Sequence, residues 1–173
     1  MSSRLFTRFS TTSAQPRIDK IPDSGFCLSV FLVISQTGNK DKVLLGKPNV
    51  NAPWEHIGAL DKDRMINNSN RWMLPSSHLI FGESPWDAAK RVSDEQLGIR
   101  NIELQGPFVF SEVWGPKNHW DIEFIFQGER NDVPQHDAWK ELKFLDTTKL
   151  RREDFARSHE DILEHIGMWR DTR

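Results

Sequence analysis

The chain has 173 residues, a formal net charge of −2, and a composition that is 37% hydrophobic and 28% charged. This length predicts one domain with a full hydrophobic core. The small net charge argues against a nucleic-acid partner held by bulk positive charge. The single cysteine, Cys27, excludes an internal disulfide framework and a zinc site built on several cysteines. Its apolar neighbours indicate a buried core thiol.

The N-terminal segment differs in composition from the rest of the chain. It is rich in Ser and Thr, contains Arg4, Arg8 and Arg17, and has no acidic residue before Asp19. Mitochondrial transit peptides have this composition, and so do short basic tails of cytoplasmic proteins. We expect residues 1–20 to be a flexible tail or a transit segment, with a cytoplasmic location and a mitochondrial one as the alternative. The domain is expected over 21–173.

Alternating apolar patterns and turn residues predict a sequence of strands, one long loop and two helices. The longest apolar run is too short for a transmembrane helix, which needs about 20 residues. The long loop contains one helical turn and has the length of a functional loop. The predicted strands are 25–35, 42–47, 72–74, 101–114, 119–128 and 139–145; the loop is 48–71; the helices are 85–97 and 158–170.

The first predicted helix has strong boundary signals. Ser84 is a suitable N-cap, Pro85 occupies the first helical position, and Asp87 can complete a capping box. Gly98 is placed to end the helix after Leu97. The pattern therefore predicts a strand, a loop and a capped helix within one short segment.

Charged residues in this segment indicate a site for a metal-bound diphosphate. Glu83 precedes the helix. Arg91 lies on the helix four residues from both Asp87 and Glu95 and can form an ion pair with either one. A helix N-terminus favours anions, and carboxylates on the helix can meet a cation. The alternative is an ordinary amphipathic helix with surface ion pairs.

The segment also resembles the Nudix box. Glu83, Arg91, Glu95, Gly98 and Ile99 match that motif in register. The resemblance implies a Nudix α/β/α sandwich, with a mixed sheet between helices, that hydrolyses nucleoside diphosphate derivatives with Mg²⁺ or Mn²⁺. Three box positions depart from the motif, because Ser77 replaces its first glycine and Val92 and Gln96 replace two metal-binding glutamates.

Within that family, the chain is most similar to GDP-mannose mannosyl hydrolases. It shares their Arg-apolar-Ser sequence at 91–93 and their Gln-His-Asp sequence at 135–137. This resemblance implies that His136 is the general base, with Arg91 as a second catalytic residue. It implies metal ligation by Glu95, Gln96, Gln135 and Glu83. The predicted substrate-binding residues are Lys47, His78, Ser77, Trp54 and Trp114.

Two functional hypotheses follow. The first is a metal-dependent hydrolase of a nucleoside diphosphate linked to another group, for example the nucleotide sugar GDP-mannose. The second is an inactive Nudix-fold protein that binds a nucleotide or a protein, as in mitochondrial ribosomes, and it is motivated by the missing helix carboxylates. We expect a small-molecule substrate and no nucleic-acid or membrane partner, with a homodimer as the one assembly considered.

Overall fold

A computed structural model describes residues 25–114 and 119–171. It contains six strands, four α-helices and two short 3-10 helices, the latter at Thr147–Lys149 and Arg152–Asp154. The strands are β1 Phe26–Gln36, β2 Asn39–Pro48, β3 Ser76–His78, β4 Gln105–Trp114, β5 His119–Arg130 and β6 Trp139–Asp146. The helices are α1 Trp54–Ile57, α2 Lys62–Asn68, α3 Pro85–Leu97 and α4 His159–His165. No helix in this described part is long and apolar enough to cross a membrane.

The strands form one mixed sheet in the order β4-β5-β1-β2-β6. β1 runs parallel to β5 over its whole length, from Phe26 opposite Trp120 to Gln36 opposite Arg130. The other edge of β1 is shared, because β3 pairs antiparallel with its middle and β2 pairs with its last residues. β1 is therefore the central strand of the fold.

Alternation along the central strands divides the core into two layers. Val30, Leu32 and Phe126 point to the side covered by α3. Phe31, Val33 and Ile125 point to the opposite side, where Ile162 and Leu163 of α4 pack. Each side chain faces the opposite direction from its neighbour along a strand, so that both faces of the sheet are buried. The expected layers, a mixed sheet between helices, are confirmed.

Helix α3 begins and ends where the sequence predicts. The backbone N–H of Asp87 donates to the Ser84 hydroxyl oxygen at 3.2 Å, and the hydroxyl donates to the Asp87 carboxylate at 2.7 Å. Gly98 has φ 69°, a left-handed conformation that suits glycine, and its N–H bonds back into the last turn. These caps fix the helix against β1 and β3.

Three predicted elements differ from the structure. Residues 72–74 form only isolated bridges, and the strand in this region is β3. The loop over 48–71 contains two helices, because Trp54, Ile57 and Met65 bury apolar side chains in the core below α3. The last helix ends at His165, and Trp169 packs against the core from the segment that follows it.

Candidate functional site

Glu83 and Arg91 form a buried, two-pronged ion pair. Arg91 Nε donates to Glu83 Oε1 at 2.7 Å, and a terminal guanidinium nitrogen donates to Oε2 at 2.9 Å. The backbone N–H of Ile80 donates to the same carboxylate. Both side chains are about one-tenth exposed, which makes this pair far stronger than a surface ion pair. The pair fastens the loop before α3 to the middle of the helix.

Arg91 also orients Glu95. Its Nη1 lies 3.6 Å from the Glu95 carboxylate and is buried without a hydrogen bond. Nη2, which donates to Glu83 Oε2, also donates to the backbone oxygen of His78 at 2.9 Å. The guanidinium is thus fixed on two sides, and its charge holds the Glu95 carboxylate in one direction.

Glu95 opens onto a cavity of about 260 Å³. Its side chain keeps about one-fifth of its surface exposed. The cavity lies between the C-terminal half of α3, the segment that begins α1, and the loop before β6. Its lining residues are Asn49, Asn51, Ala52, Pro53, Ile57, Glu95, His136, Asp137 and Ala138. The structure therefore places Glu95 and His136, two of the predicted site residues, on one cavity, together with Asp137.

The side-chain amide of Gln96, in contrast, is hydrogen-bonded to backbone atoms. It is fully buried, and its Oε1 accepts from the N–H of Ser76 at 3.1 Å. Its Nε2 donates to the carbonyl oxygens of Ile57 at 2.9 Å and Ser76 at 2.7 Å. The predicted role of Gln96 as a metal ligand does not fit this arrangement, because its amide joins three segments of the chain instead.

His136 is held by a contact that selects one tautomer. Its Nδ1 accepts from the backbone N–H of Ala138 at 3.2 Å. In the neutral ring Nδ1 is then unprotonated, and Nε2 carries the hydrogen. Nε2 is therefore a hydrogen-bond donor in this state, whereas a general base needs an unprotonated nitrogen.

Two predicted substrate-binding residues lie elsewhere. Trp54 is 2% exposed and packs edge-on against Trp139 with 5.0 Å between ring centroids, so it has no free face for a nucleobase. Lys47 is paired with Glu141 at 3.3 Å and lies 4.4 Å from the ring centre of Trp72, on the α4 side of the sheet. Both predictions are wrong, because alternation and core packing direct these side chains away from the cavity.

Ser77, His78 and Gln135 are not among the described residues that line the cavity. Ser77 and His78 are buried in β3 and pair with Val30 and Ser29 of β1. Gln135 is exposed. The side chain of Trp114 lies outside the described residues.

Sequence reasoning missed Asn49, Asn51 and Asp137 as lining residues. The length of the 48–71 loop was the signal that could have indicated the first two.

A second polar group lies on the α4 face of the sheet. Glu123 is 3% exposed, and burial, with the neighbouring charges of Glu112 and Asp121, raises its pKa to about 8. His165 lies 4.0 Å from both Glu112 and Glu123 and stacks on Phe110. These polar side chains lie at one end of the α4 layer.

Comparisons with known proteins identify the fold. No protein-family model matches the chain. An RNA pyrophosphohydrolase from Rhodospirillum rubrum is 26% identical over 99 residues, which cover 44% of this chain and 59% of that relative. The chain therefore spans about three-fifths of the length of the curated relative it matches.

Solved structures match over most of the chain. The Nudix domain of Shewanella oneidensis NrtR, solved with ADP ribose, has a TM-score of 0.57 at 15% identity and covers 90% of this chain and 92% of that domain. The chain has a Nudix fold. A MutT protein from Methanosarcina mazei Go1 gives a TM-score of 0.57 at 18% identity, with 84% and 94% of the two chains covered. The E. coli dihydroneopterin triphosphate pyrophosphohydrolase gives 0.52 at 16% identity, with 79% and 92% covered.

Proposed function

We propose that this chain is a Nudix-type hydrolase of a nucleoside diphosphate linked to another group. The observation that supports this most strongly is the line of charges from Glu83 through Arg91 to Glu95, which ends at a cavity containing His136 and Asp137. A buried ion pair that only stabilised the fold would need no third carboxylate facing a cavity. The substrate class to test first is a nucleotide sugar, with GDP-mannose as its representative.

Glu95 and Asp137 are the residues that would hold a divalent cation. Both residues line the cavity, and hard oxygen ligands suit Mg²⁺ or Mn²⁺. Among the described residues, the cavity holds no group of three His, Asp or Glu ligand atoms within 4.8 Å of one another. The donor set therefore fits a cation that is completed by diphosphate oxygens. When bound, the cation would neutralise negative charge on the leaving diphosphate.

Two residues predicted as metal ligands take other roles in this proposal. Both Glu83 oxygens already accept hydrogen bonds, so Glu83 positions Arg91, and Arg91 in turn positions Glu95. Gln96 fixes the wall of the cavity by binding the backbone of Ile57. Positioning by buried partners keeps the geometry of a site fixed.

His136 binds a substrate oxygen through its Nε2–H. This role follows from the hydrogen bond between Ala138 N–H and Nδ1. The general-base role implied by the family resemblance needs the opposite tautomer, with the hydrogen on Nδ1, and that tautomer breaks this bond. The two roles predict different pH profiles.

The test is a turnover screen of the purified full-length chain. The panel contains nucleoside diphosphate sugars, dinucleotides, ADP ribose and 5′-triphosphorylated RNA, each with Mg²⁺ and with Mn²⁺. We expect turnover of a nucleoside diphosphate derivative that is lost in Glu95→Gln. Asp94→Asn is the matched control, because Asp94 is the preceding residue of the same helix, is exposed, and pairs with the exposed Arg100 at 3.3 Å.

Two results would contradict the proposal. One is the absence of turnover for every compound with both metals, which would leave a non-catalytic binding domain. The other is turnover in Glu95→Gln equal to that of the unmodified chain.

A further inference from the structure

Three potential metal ligands converge on the face of the sheet opposite the cavity. Cys27 lies on β1, and His119 and Asp121 lie on β5, where Cys27 and Asp121 are direct partners in the parallel register. Their ligand atoms all lie within 4.8 Å of one another. The arrangement depends on the pairing of β1 with β5, two strands that are about 90 residues apart in sequence.

Cys27 and Asp121 both contact the same ring nitrogen of His119, so the three residues are not arranged as a proton relay. The His119 Nε2 atom lies 3.2 Å from the Cys27 Sγ and 3.2 Å from the Asp121 Oδ1, and the thiol also donates to that oxygen. A Cys-His-Asp catalytic triad would use the two ring nitrogens for the two partners. Ligand atoms around a tetrahedral zinc ion lie ~3.5 Å apart, since Zn–N and Zn–S bonds are about 2.0–2.3 Å. Two of the three separations are close to this value.

The chemistry of the three donors selects the kind of ion. A thiolate and an imidazole suit Zn²⁺ or Co²⁺ and are poor ligands for Mg²⁺. The thiolate and the carboxylate together carry two negative charges, which one divalent ion neutralises. Binding would release the Cys27 thiol proton to solvent, so no other reactant is required.

A separate observation at the same place indicates a missing partner. Glu123 follows Asp121 by two residues on the same face of β5, about 6.8 Å along the strand. It is 3% exposed, and its Oε2 is buried without a hydrogen bond. A buried carboxylate oxygen without a partner is costly and needs an explanation. A water molecule bound to an ion at the three ligands would supply such a donor.

One basic residue opposes a cation at this site. Burial and the charge of Arg64 lower the pKa of Arg157 to about 10, whereas the charges of Cys27 and Asp121 act in the opposite direction. Its backbone is in the left-handed region, with φ 57°. The guanidinium is thus a charge that opposes binding of a metal ion, and Asn is an uncharged replacement that, unlike most residues with a side chain, tolerates this backbone conformation.

We propose that Cys27, His119 and Asp121 form a zinc-type metal site with one open coordination position, in addition to the cation of the proposed hydrolase. His119 and Asp121 keep about one-fifth of their side-chain surface exposed, which gives the ion a route from solvent. The site lies on the α4 face and does not depend on the proposed hydrolase activity.

The test is a Co²⁺ titration of the full-length, chelator-treated chain, followed by displacement with Zn²⁺. We expect one equivalent of Co²⁺ to bind with a near-ultraviolet thiolate-to-cobalt band, which Zn²⁺ removes. Cys27→Ser should abolish that band. His119→Gln and Asp121→Asn should each weaken Co²⁺ binding by about tenfold or more. Arg157→Asn should increase the affinity for Co²⁺.

Controls separate this site from the cavity and from misfolding. Glu95→Gln changes the cavity on the other face and should leave the cobalt band unchanged. Protection of Cys27 from a thiol reagent by Zn²⁺ is measured on the unmodified chain and needs no variant. The proposal is overturned if millimolar Co²⁺ gives no thiolate band, if Zn²⁺ does not protect the thiol, or if His119→Gln and Asp121→Asn bind Co²⁺ as tightly as the unmodified chain.

Discussion

A buried amide and a buried carboxylate on the α3 face differ in their hydrogen bonding from a buried carboxylate on the α4 face. On the α3 face, Gln96 makes three backbone hydrogen bonds and Glu83 accepts three, so that both side chains are saturated by the protein. On the α4 face, Glu123 has a buried oxygen without a hydrogen bond, next to three convergent metal-type ligands. Saturated groups hold a fold together, whereas unsaturated ones are available to a ligand.

This difference changes how the motif on α3 is understood. Its matching residues, Glu83 and Arg91, bind each other, and Arg91 lies 3.6 Å from the carboxylate of Glu95, which lines the cavity. Gln96, which stands where the family motif has a carboxylate, closes the space between α3, α1 and β3. A motif residue can therefore keep its place in the fold while its side chain does a different task.

The largest effect is expected for Gln96→Glu. A carboxylate at this position would face the carbonyl oxygens of Ile57 and Ser76 and would lose both hydrogen bonds donated by Nε2. We expect it to destabilise the fold by ~3–5 kcal/mol, the usual cost of an unpaired buried charge. Urea unfolding at neutral pH measures this, with Asp94→Asn as the surface control.

The effect of Mg²⁺ on the stability of Gln96→Glu distinguishes a structural role of residue 96 from metal binding. If Gln96 is a scaffold residue, Mg²⁺ does not restore the stability of Gln96→Glu. An unaltered unfolding midpoint, or one restored by Mg²⁺, would support Gln96 as a metal ligand. It would contradict the difference in hydrogen bonding described for the two faces of the sheet.

A smaller effect is expected from pH through His159 in the α4 layer. His159 is 2% exposed, its Nδ1 accepts from the N–H of Leu74 at 2.9 Å, and burial lowers its pKa well below 6.5. The unfolded chain binds a proton below about pH 6.5, and the folded chain does not. This group's contribution to stability is therefore complete above pH 6.5 and falls by about 1.4 kcal/mol per pH unit below it.

His159→Asn tests this directly, because the Asn oxygen can accept from Leu74 in place of Nδ1. We expect the unfolding free energy of the variant to fall less steeply between pH 6.5 and 5 than that of the unmodified chain. Parallel curves for the two proteins would show that His159 is not the buried neutral group.

His136 gives a smaller effect, measured in rate. As a donor of one hydrogen bond to substrate, it should contribute about 10–10²-fold to kcat/KM, and His136→Gln should reduce kcat/KM by that factor. The kcat/KM of the unmodified chain should not rise with pH through the range in which a histidine titrates. A rise followed by a plateau, with a loss of ~10²–10⁴ in the variant, would instead establish a general base.

The fold was predictable because local signals agreed with each other. Ser84, Pro85 and Gly98 mark both ends of α3, and alternating apolar residues mark the central strands. The helices α1 and α2 were harder to predict, since their polar and turn-forming residues resemble a loop and only tertiary packing buries Trp54 and Met65. Short helices draw most of their stability from such packing.

The site was only partly predictable for a related reason. The spacing along α3 allowed the ion pair of Arg91 with Glu95 to be predicted, with Asp87 as the alternative partner. That spacing could not show that the Gln96 side chain would hydrogen-bond to the backbone of β3 and α1, because those partners are 20 and 39 residues away. The cluster around Cys27 depends on a strand pairing across more than 90 residues, and no local pattern reports it.

The most direct test of the hydrolase account is calorimetric titration of GDP with and without Mg²⁺, in the unmodified chain and in Glu95→Gln. Glu95 and the substrate diphosphate share the cation in this account. Mg²⁺ should therefore increase the affinity for GDP by about tenfold or more, and GDP should increase the affinity for Mg²⁺ by the same factor. Glu95→Gln should remove most of that coupling. Equal affinities for GDP with Mg²⁺ and with chelator in the unmodified chain would contradict the account.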